Sequence, residues 1–306
     1  MTIAVVDLGT NTFNCCVVSL LCEQLSFKTL LEFHEYPRLG ENGVAFGYIS
    51  DDAMERGLES LRVTKEKIAP YNCEQVKLIG TSALRNAKNA DVFCKKAKEL
   101  FDFDITIIQG EQEAELIFQG NNLAYNWENK TALILDIGGG SNECIICNQD
   151  KILWKHSFEC GMQRIISKFT LQHPMPQSVQ SEIFEYLDEK FSLLTEEISK
   201  YKIDLLIGSA GAFDVFRSIY FAQIGKENPQ AVAAEIPLSN FNEIIDYLST
   251  HKLDEIESMK GMSIPRAPLL PIAGFIASFI IAKYNIPQLI QSSYSLKEGV
   301  IHTLMK

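Results

Sequence analysis

Two segments of the chain place an aspartate, glycine and small hydroxyl or amide residues at the end of an apolar run. The first is Val5-Val6-Asp7-Leu8-Gly9-Thr10-Asn11-Thr12; the second is Leu135-Asp136-Ile137-Gly138-Gly139-Gly140-Ser141-Asn142. Glycine in a tight turn removes the Cβ that blocks an incoming oxygen and lets backbone N–H groups converge on an anion. Gly9, Thr10, Asn11 and Thr12, and Gly138, Gly139, Gly140 and Ser141, are therefore candidate phosphate-binding residues. For one such turn the plain alternative is a β-hairpin; two, each preceded by a strand-end aspartate, argue for a repeated device. Asp7 and Asp136 offer hard oxygen ligands that can hold Mg²⁺ against phosphate oxygens, although an aspartate at such a place also caps turns. Neither segment is a P-loop, since no Gly-Lys-Ser/Thr follows. Neither is a dinucleotide fingerprint, since a strand follows the glycines.

Two further segments carry candidates. Gly110-Glu111-Gln112-Glu113-Ala114 opens a helix after a short strand. Carboxylates in a first turn commonly complement the helix dipole, but Glu113 can also orient and deprotonate a water. Gly208-Ser209-Ala210-Gly211 follows another strand and opens another helix. Gly208, Ser209 and Gly211 either contact a phosphate or nucleotide, or permit close helix–strand packing. The eight cysteines are Cys15, Cys16, Cys22, Cys73, Cys94, Cys144, Cys147 and Cys160. Cys144-Ile-Ile-Cys147 has metal-like spacing but lacks a second pair, so buried strand thiols are expected. A formal net charge of −11 disfavours broad binding to DNA or to an anionic membrane. A protein of this charge that handles a polyanion must gather its cations, for which Arg85, Lys88, Arg164, Arg266 and Lys297 are candidates.

The elements that position these residues alternate. Strands are expected at Ile3–Asp7, Phe13–Leu21, Val76–Gly80, Ile105–Ile108, Ala132–Asp136, Glu143–Cys147 and Leu205–Ile207. Helices are expected at Asp51–Ala69 behind an N-cap at Ser50, Asn89–Phe101, Glu111–Tyr125, Ser178–Tyr201, Gly211–Tyr220, Asn240–Ser249, Ala267–Lys283 and Leu296–Met305. The result is a mixed α/β architecture. The two strand-end aspartates lie about one domain length apart, so two similar halves facing each other put two phosphate loops across one cleft. The boundary is expected near residue 125, giving units 1–125 and 126–306, with the helix at about 296–306 packing back on the first. No run reaches the ~18–20 apolar residues of a membrane helix; Ile272–Ala282 reads as a buried helix. The chain opens on a strand pattern rather than a signal peptide, so a cytoplasmic protein is expected.

Taken in order, these motifs resemble the exopolyphosphatase / guanosine pentaphosphate phosphatase family. Thr81-Ser82-Ala83-Leu84-Arg85-Asn86-Ala87, Gly161-Met162-Gln163-Arg164 and Leu296-Lys297-Glu298-Gly299-Val300 join the segments above, and the resemblance covers essentially the whole chain. It implies two ribonuclease-H-like domains of the actin, sugar kinase and chaperone ATPase superfamily, in a short form without an added C-terminal helical region. It implies Glu113 as the base on water, with Glu143 and Asp136 serving metal and phosphate, and a phosphate contact from Arg85. The expected reaction is Mg²⁺-dependent release of a terminal phosphate from polyphosphate or guanosine pentaphosphate; a homodimer is open by analogy. Three positions depart from the family pattern: Asn14 in place of Arg or His, Gln112 in place of a frequent glutamate, and Ala212 in place of threonine. Two other readings share the same loops, an ATP-dependent kinase or ATPase of the superfamily and a non-catalytic sensor of phosphorylated nucleotides.

Overall fold

A computed structural model describes residues 1–21, 26–127 and 129–305; Cys22 lies outside the described residues. The first apolar run becomes strand β1 (Thr2–Leu8), which turns back antiparallel into β2 (Phe13–Leu21) and then β3 (Ser26–Glu35). Ser50 caps helix α1 (Asp51–Ile68), accepting the Ala53 N–H at 3.4 Å. Then come β4 (Gln75–Gly80), α2 (Ser82–Asn86), α3 (Ala90–Phe101), β5 (Ile105–Ile107) and α4 (Gly110–Ala124). β4 pairs parallel with β1, and β5 parallel with β4. The first sheet thus runs β3-β2-β1-β4-β5.

The second half repeats the plan. β6 (Ala132–Ile137), β7 (Asn142–Cys147) and β8 (Ile152–Phe158) form an antiparallel meander. Helices α5 (Met162–Lys168), α6 (Gln177–Lys190) and α7 (Ser192–Ile198) lead to β9 (Leu205–Ser209), which lies parallel to β6. Helix α8 (Gly211–Gln223), β10 (Ala233–Glu235), helices α9 (Leu238–Thr250), α10 (Leu253–Glu257) and α11 (Leu270–Lys283), β11 (Leu289–Ser292) and α12 (Leu296–Met305) complete the chain. The order is β8-β7-β6-β9-β11, with β10 added at the edge. Both halves therefore carry the ribonuclease-H-like strand order, and the expected two-unit α/β fold stands.

The structure corrects the expected elements, adding the short helices α2, α5 and α10 that were not expected. The helix expected over Ser178–Tyr201 is two helices, broken at Phe191, whose ring is fully buried. Strands β3, β8, β10 and β11 were not expected. β3 lies at the sheet edge and buries none of its residues fully, so no alternation of apolar and polar residues announces it. Cys144 and Cys147 are buried thiols on β7, pushed above their usual pKa by burial. No described helix is long and apolar enough to cross a membrane.

Three apolar clusters hold the molecule. One fills the outer side of the first sheet under α1 and α3, and another the outer side of the second. The third lies between the sheets. Ile3 and Val5 of β1 and Ile134 and Ile145 of the second meander pack there around Ile117 of α4 and Leu296 and Val300 of α12. α4 and α12 cross at paired glycines. A Cβ on Gly120 would run into the Ser295 carbonyl oxygen, and one on Gly299 into that of Leu116. The two backbones touch with no side chain between them, which only glycine permits.

Candidate active site

Strand register builds the site twice over. On the first sheet Asp7 of β1 faces Asn14 of β2, which faces His34 of β3. On the second Asp136 of β6 faces Glu143 of β7, which faces Ser157 of β8. Asn14 is thus the positional counterpart of Glu143. Asn14 Nδ2 donates to Asp7 Oδ2 at 3.0 Å, and its Oδ1 stands 2.9 Å from His34 Nδ1. The position where the resemblance leads one to expect Arg or His instead holds an amide that braces Asp7.

The turns match as well. Gly9 N–H donates to Thr12 O at 3.0 Å, and Gly138 N–H to Ser141 O at 3.0 Å. An added Cβ would stand 2.8 Å from Thr12 O at Gly9 and 2.7 Å from Ser141 O at Gly138. The two loops face each other. A Cβ at Gly139 would come within 2.6 Å of Asn11 Nδ2, and one at Gly140 within 2.7 Å of Thr10 Oγ1. Between them opens a cleft of about 560 Å³, lined by Gly9, Thr10, Asn11, Thr12, Gly138, Gly139, Gly140 and Ser141 and by Asp7, Glu113, Asp136 and Glu143.

Burial dominates the electrostatics of that cleft. It pushes the carboxyl of Asp7 up to about 7, with Asp136 adding to the rise. It pushes Glu143 up to about 8, again with Asp136 contributing, and raises Asp136 itself. Hydroxyls hold two of these groups: Ser295 Oγ donates to Asp136 Oδ2 at 2.5 Å, and Ser157 Oγ to Glu143 Oε1 at 2.6 Å. Asp7 Oδ1 and both polar side-chain atoms of Asn11 are buried without a hydrogen-bond partner. Buried polar atoms in this condition call for a water, an ion or a ligand. They fit a hard cation and a phosphate, although no group of three or more His, Cys, Asp or Glu among the described residues forms a cage.

Glu113 stands in the first turn of α4, 8% exposed, and burial raises its carboxyl well above the usual range, with Glu143 adding to the effect. Arg85 of α2 opposes this: its Nη1 lies 2.8 Å from Glu113 Oε2. Gln112, one of the departures, accepts the Gln109 N–H at 3.1 Å and so closes the helix start. An amide serves that purpose as well as a carboxylate.

Of the candidate cations, Arg266 and Lys297 line the cleft, joined by Arg217, which sequence reasoning missed. Lys297 is buried; burial works against its charge, but Glu298 and Glu32 hold it protonated, Glu32 Oε1 at 2.6 Å. Arg85 and Arg164 stand behind the second loop, where they donate to Ser141 Oγ at 3.4 Å and to Gly140 O at 2.9 Å. Lys88 is exposed and is not among the lining residues. Gly211 lines the cleft, whereas Gly208 and Ser209 do not. Gly208 lies flat against the Phe213 ring, close helix–strand packing, and Ser209 is a hydrogen-bond partner of Asp136. Sequence reasoning also missed Asp214, Ser295 and Glu298. For the last two the Ser-x-x-Glu spacing of a capping box was a usable signal; Glu298 Oε2 accepts the Ser295 N–H at 2.8 Å.

The chain is similar to known proteins in sequence and fold. Residues 18–306 match the model of the Ppx/GppA phosphatase family. An exopolyphosphatase from Cytophaga hutchinsonii is 31% identical, covers 100% of this chain and 98% of its own, and superposes with a TM-score of 0.96. A Ppx/GppA family member from Aquifex aeolicus, 22% identical over 99% of this chain and 97% of its own, has the same fold with a TM-score of 0.78. A guanosine-5'-triphosphate,3'-diphosphate pyrophosphatase from Photobacterium profundum is 25% identical over 99% of this chain, which spans 59% of that relative's length.

Proposed function

The chain belongs to the Ppx/GppA phosphatase family, and from that premise we propose that it releases orthophosphate from the end of a phosphate chain, inorganic polyphosphate or guanosine pentaphosphate. The observation that carries the reading is the position of Glu113: a buried carboxylate, held by Arg85, in the wall of a cleft between two opposed glycine loops. The loops bind phosphate oxygens through backbone N–H groups, helped by Thr10, Asn11, Thr12 and Ser141. Glu113 orients a water and takes its proton as the water oxygen bonds to the terminal phosphorus and the bridging P–O bond breaks. Its raised pKa makes it a stronger base near neutrality than an ordinary carboxylate. Asp7 and Asp136, with Glu143, would hold Mg²⁺, which when bound neutralises charge on the phosphate oxygens. The seven described free cysteines support a reducing, cytoplasmic setting. Phosphate release from both substrates side by side, with and without Mg²⁺, tests the reading. Release from either that stops on chelation is expected; none from either would refute it.

A further inference from the structure

Glu159 directly follows β8 and its side chain is 41% exposed, yet its carboxylate collects four donors. Arg164 Nη2 donates to Oε2 at 2.6 Å, Asn86 Nδ2 at 2.9 Å and Ser82 Oγ at 3.4 Å, while Arg85 Nη2 donates to Oε1 at 3.5 Å. Three donors belong to the first unit and one to the second. Both arginines also touch the second phosphate loop, at Gly140 O and Ser141 Oγ, and Ser82 itself lines the cleft. Two guanidinium groups, an amide and a hydroxyl around one anion are the donor set of a phosphate site.

We propose that Ser82, Arg85, Asn86 and Arg164 form a phosphate subsite beside the second loop, which the chain's own Glu159 carboxylate fills until a phosphate displaces it. This rests on the reading of the cleft as a phosphate-chain site. Only the side chain has to leave. The backbone beside it is anchored, because Cys160 N–H donates to Phe158 O at 2.8 Å and Gly161 N–H to Gly140 O at 3.2 Å. A part-exposed carboxylate holds its partners weakly, and a phosphate brings more charge and a third acceptor oxygen. The ligand is therefore a phosphate group, either an inner one of the substrate chain or the orthophosphate product.

The test is calorimetric binding of a methylene-bridged tripolyphosphate, which resists hydrolysis, and of orthophosphate, in Mg²⁺. Wild type is compared with Glu159→Gln, Arg164→Gln and the double variant. Glu159→Gln should bind the tripolyphosphate about tenfold more tightly at low salt, and the gain should vanish in the double variant. A gain for tripolyphosphate alone assigns the subsite to an inner phosphate; a gain for both ligands assigns it to the product as well. An unchanged or weaker affinity, or a gain that survives Arg164→Gln, would overturn the subsite. Should Glu159→Gln misfold, Glu159→Asp, too short to span the same donors, should still tighten binding. If the tripolyphosphate binds no variant and no phosphate is released from either substrate, the function reading fails and the subsite with it. Normal turnover with unchanged affinity sinks the subsite alone.

Discussion

Glu113 and Arg85 are buried against each other, so replacing either one changes the other's chemistry. Glu113→Gln keeps size and hydrogen bonding but cannot accept a proton. Its kcat should fall by about 10²–10⁴-fold, with substrate binding and melting temperature close to wild type; near-normal turnover would move the base to Glu143. The phosphate contact that the resemblance implies for Arg85 predicts that Arg85→Ala weakens substrate binding more than it slows the chemical step, and so shows mainly in KM. The ion pair at 2.8 Å adds a second effect. Without the guanidinium the Glu113 carboxyl rises further, and a base that must be deprotonated then works only at higher pH. The acid limb of the kcat/KM profile should therefore move upward in Arg85→Ala, and an unmoved limb would separate Arg85 from the base. Asp7, Asp136, Glu113 and the glycine loops were legible because strand end, turn and helix start are local patterns. Ser157, Asp214 and Glu159 were not, because what gives each its role is a partner brought in by the fold from a different element.

Strands were legible where apolar and β-branched residues dominate and not where they are short or mixed with polar residues. β1, β2, β6 and β7 are nearly continuous apolar runs, whereas β3 and β8 carry partly exposed, mixed residues. Nothing in the sequence marked Phe191 as a break, because only the core that swallows its ring requires one. The crossing of α4 and α12 was equally silent, since glycine inside a helical pattern reads as a mere weakness. It yields a prediction with a diagnostic sign. Gly→Ala within a helix ordinarily stabilises by about 0.8–1 kcal/mol. At Gly299 the new Cβ meets the Leu116 backbone, and such overpacking costs about 1–3 kcal/mol. Gly299→Ala should therefore lower the melting temperature, read by thermal denaturation, and a rise would show that the two helices separate freely.

For the whole molecule, the cleft concentrates carboxyl groups. Asp7, Glu32, Glu113, Asp136, Glu143, Asp214 and Glu298 line it against Arg217, Arg266 and Lys297. Burial raises Asp7 to about 7, Glu143 to about 8 and Asp214 to about 6, while in the unfolded chain such groups titrate near 4. Between those values the folded state binds more protons than the unfolded one. The stability these groups contribute is thus complete below about pH 4 and lost as pH rises through 6 to 8. Differential scanning fluorimetry of the metal-free protein should show this loss between about pH 5.5 and pH 8. Mg²⁺ should restore more at the upper end than at the lower, and equal restoration at both would argue against a cation among these carboxylates. The cleft joins elements far apart in sequence: Asp7 comes from β1, and Ser295, Lys297 and Glu298 from the start of α12. A nascent chain leaves the ribosome with Asp7 exposed and no α12 to cover α4. At about 5–20 residues per second the wait between α4 and α12 is on the order of 10–35 s. Through that interval the apolar face of α4 has no permanent cover, and the ribosome carries a half-built protein that a chaperone can hold but whose cleft is complete only once α12 has emerged.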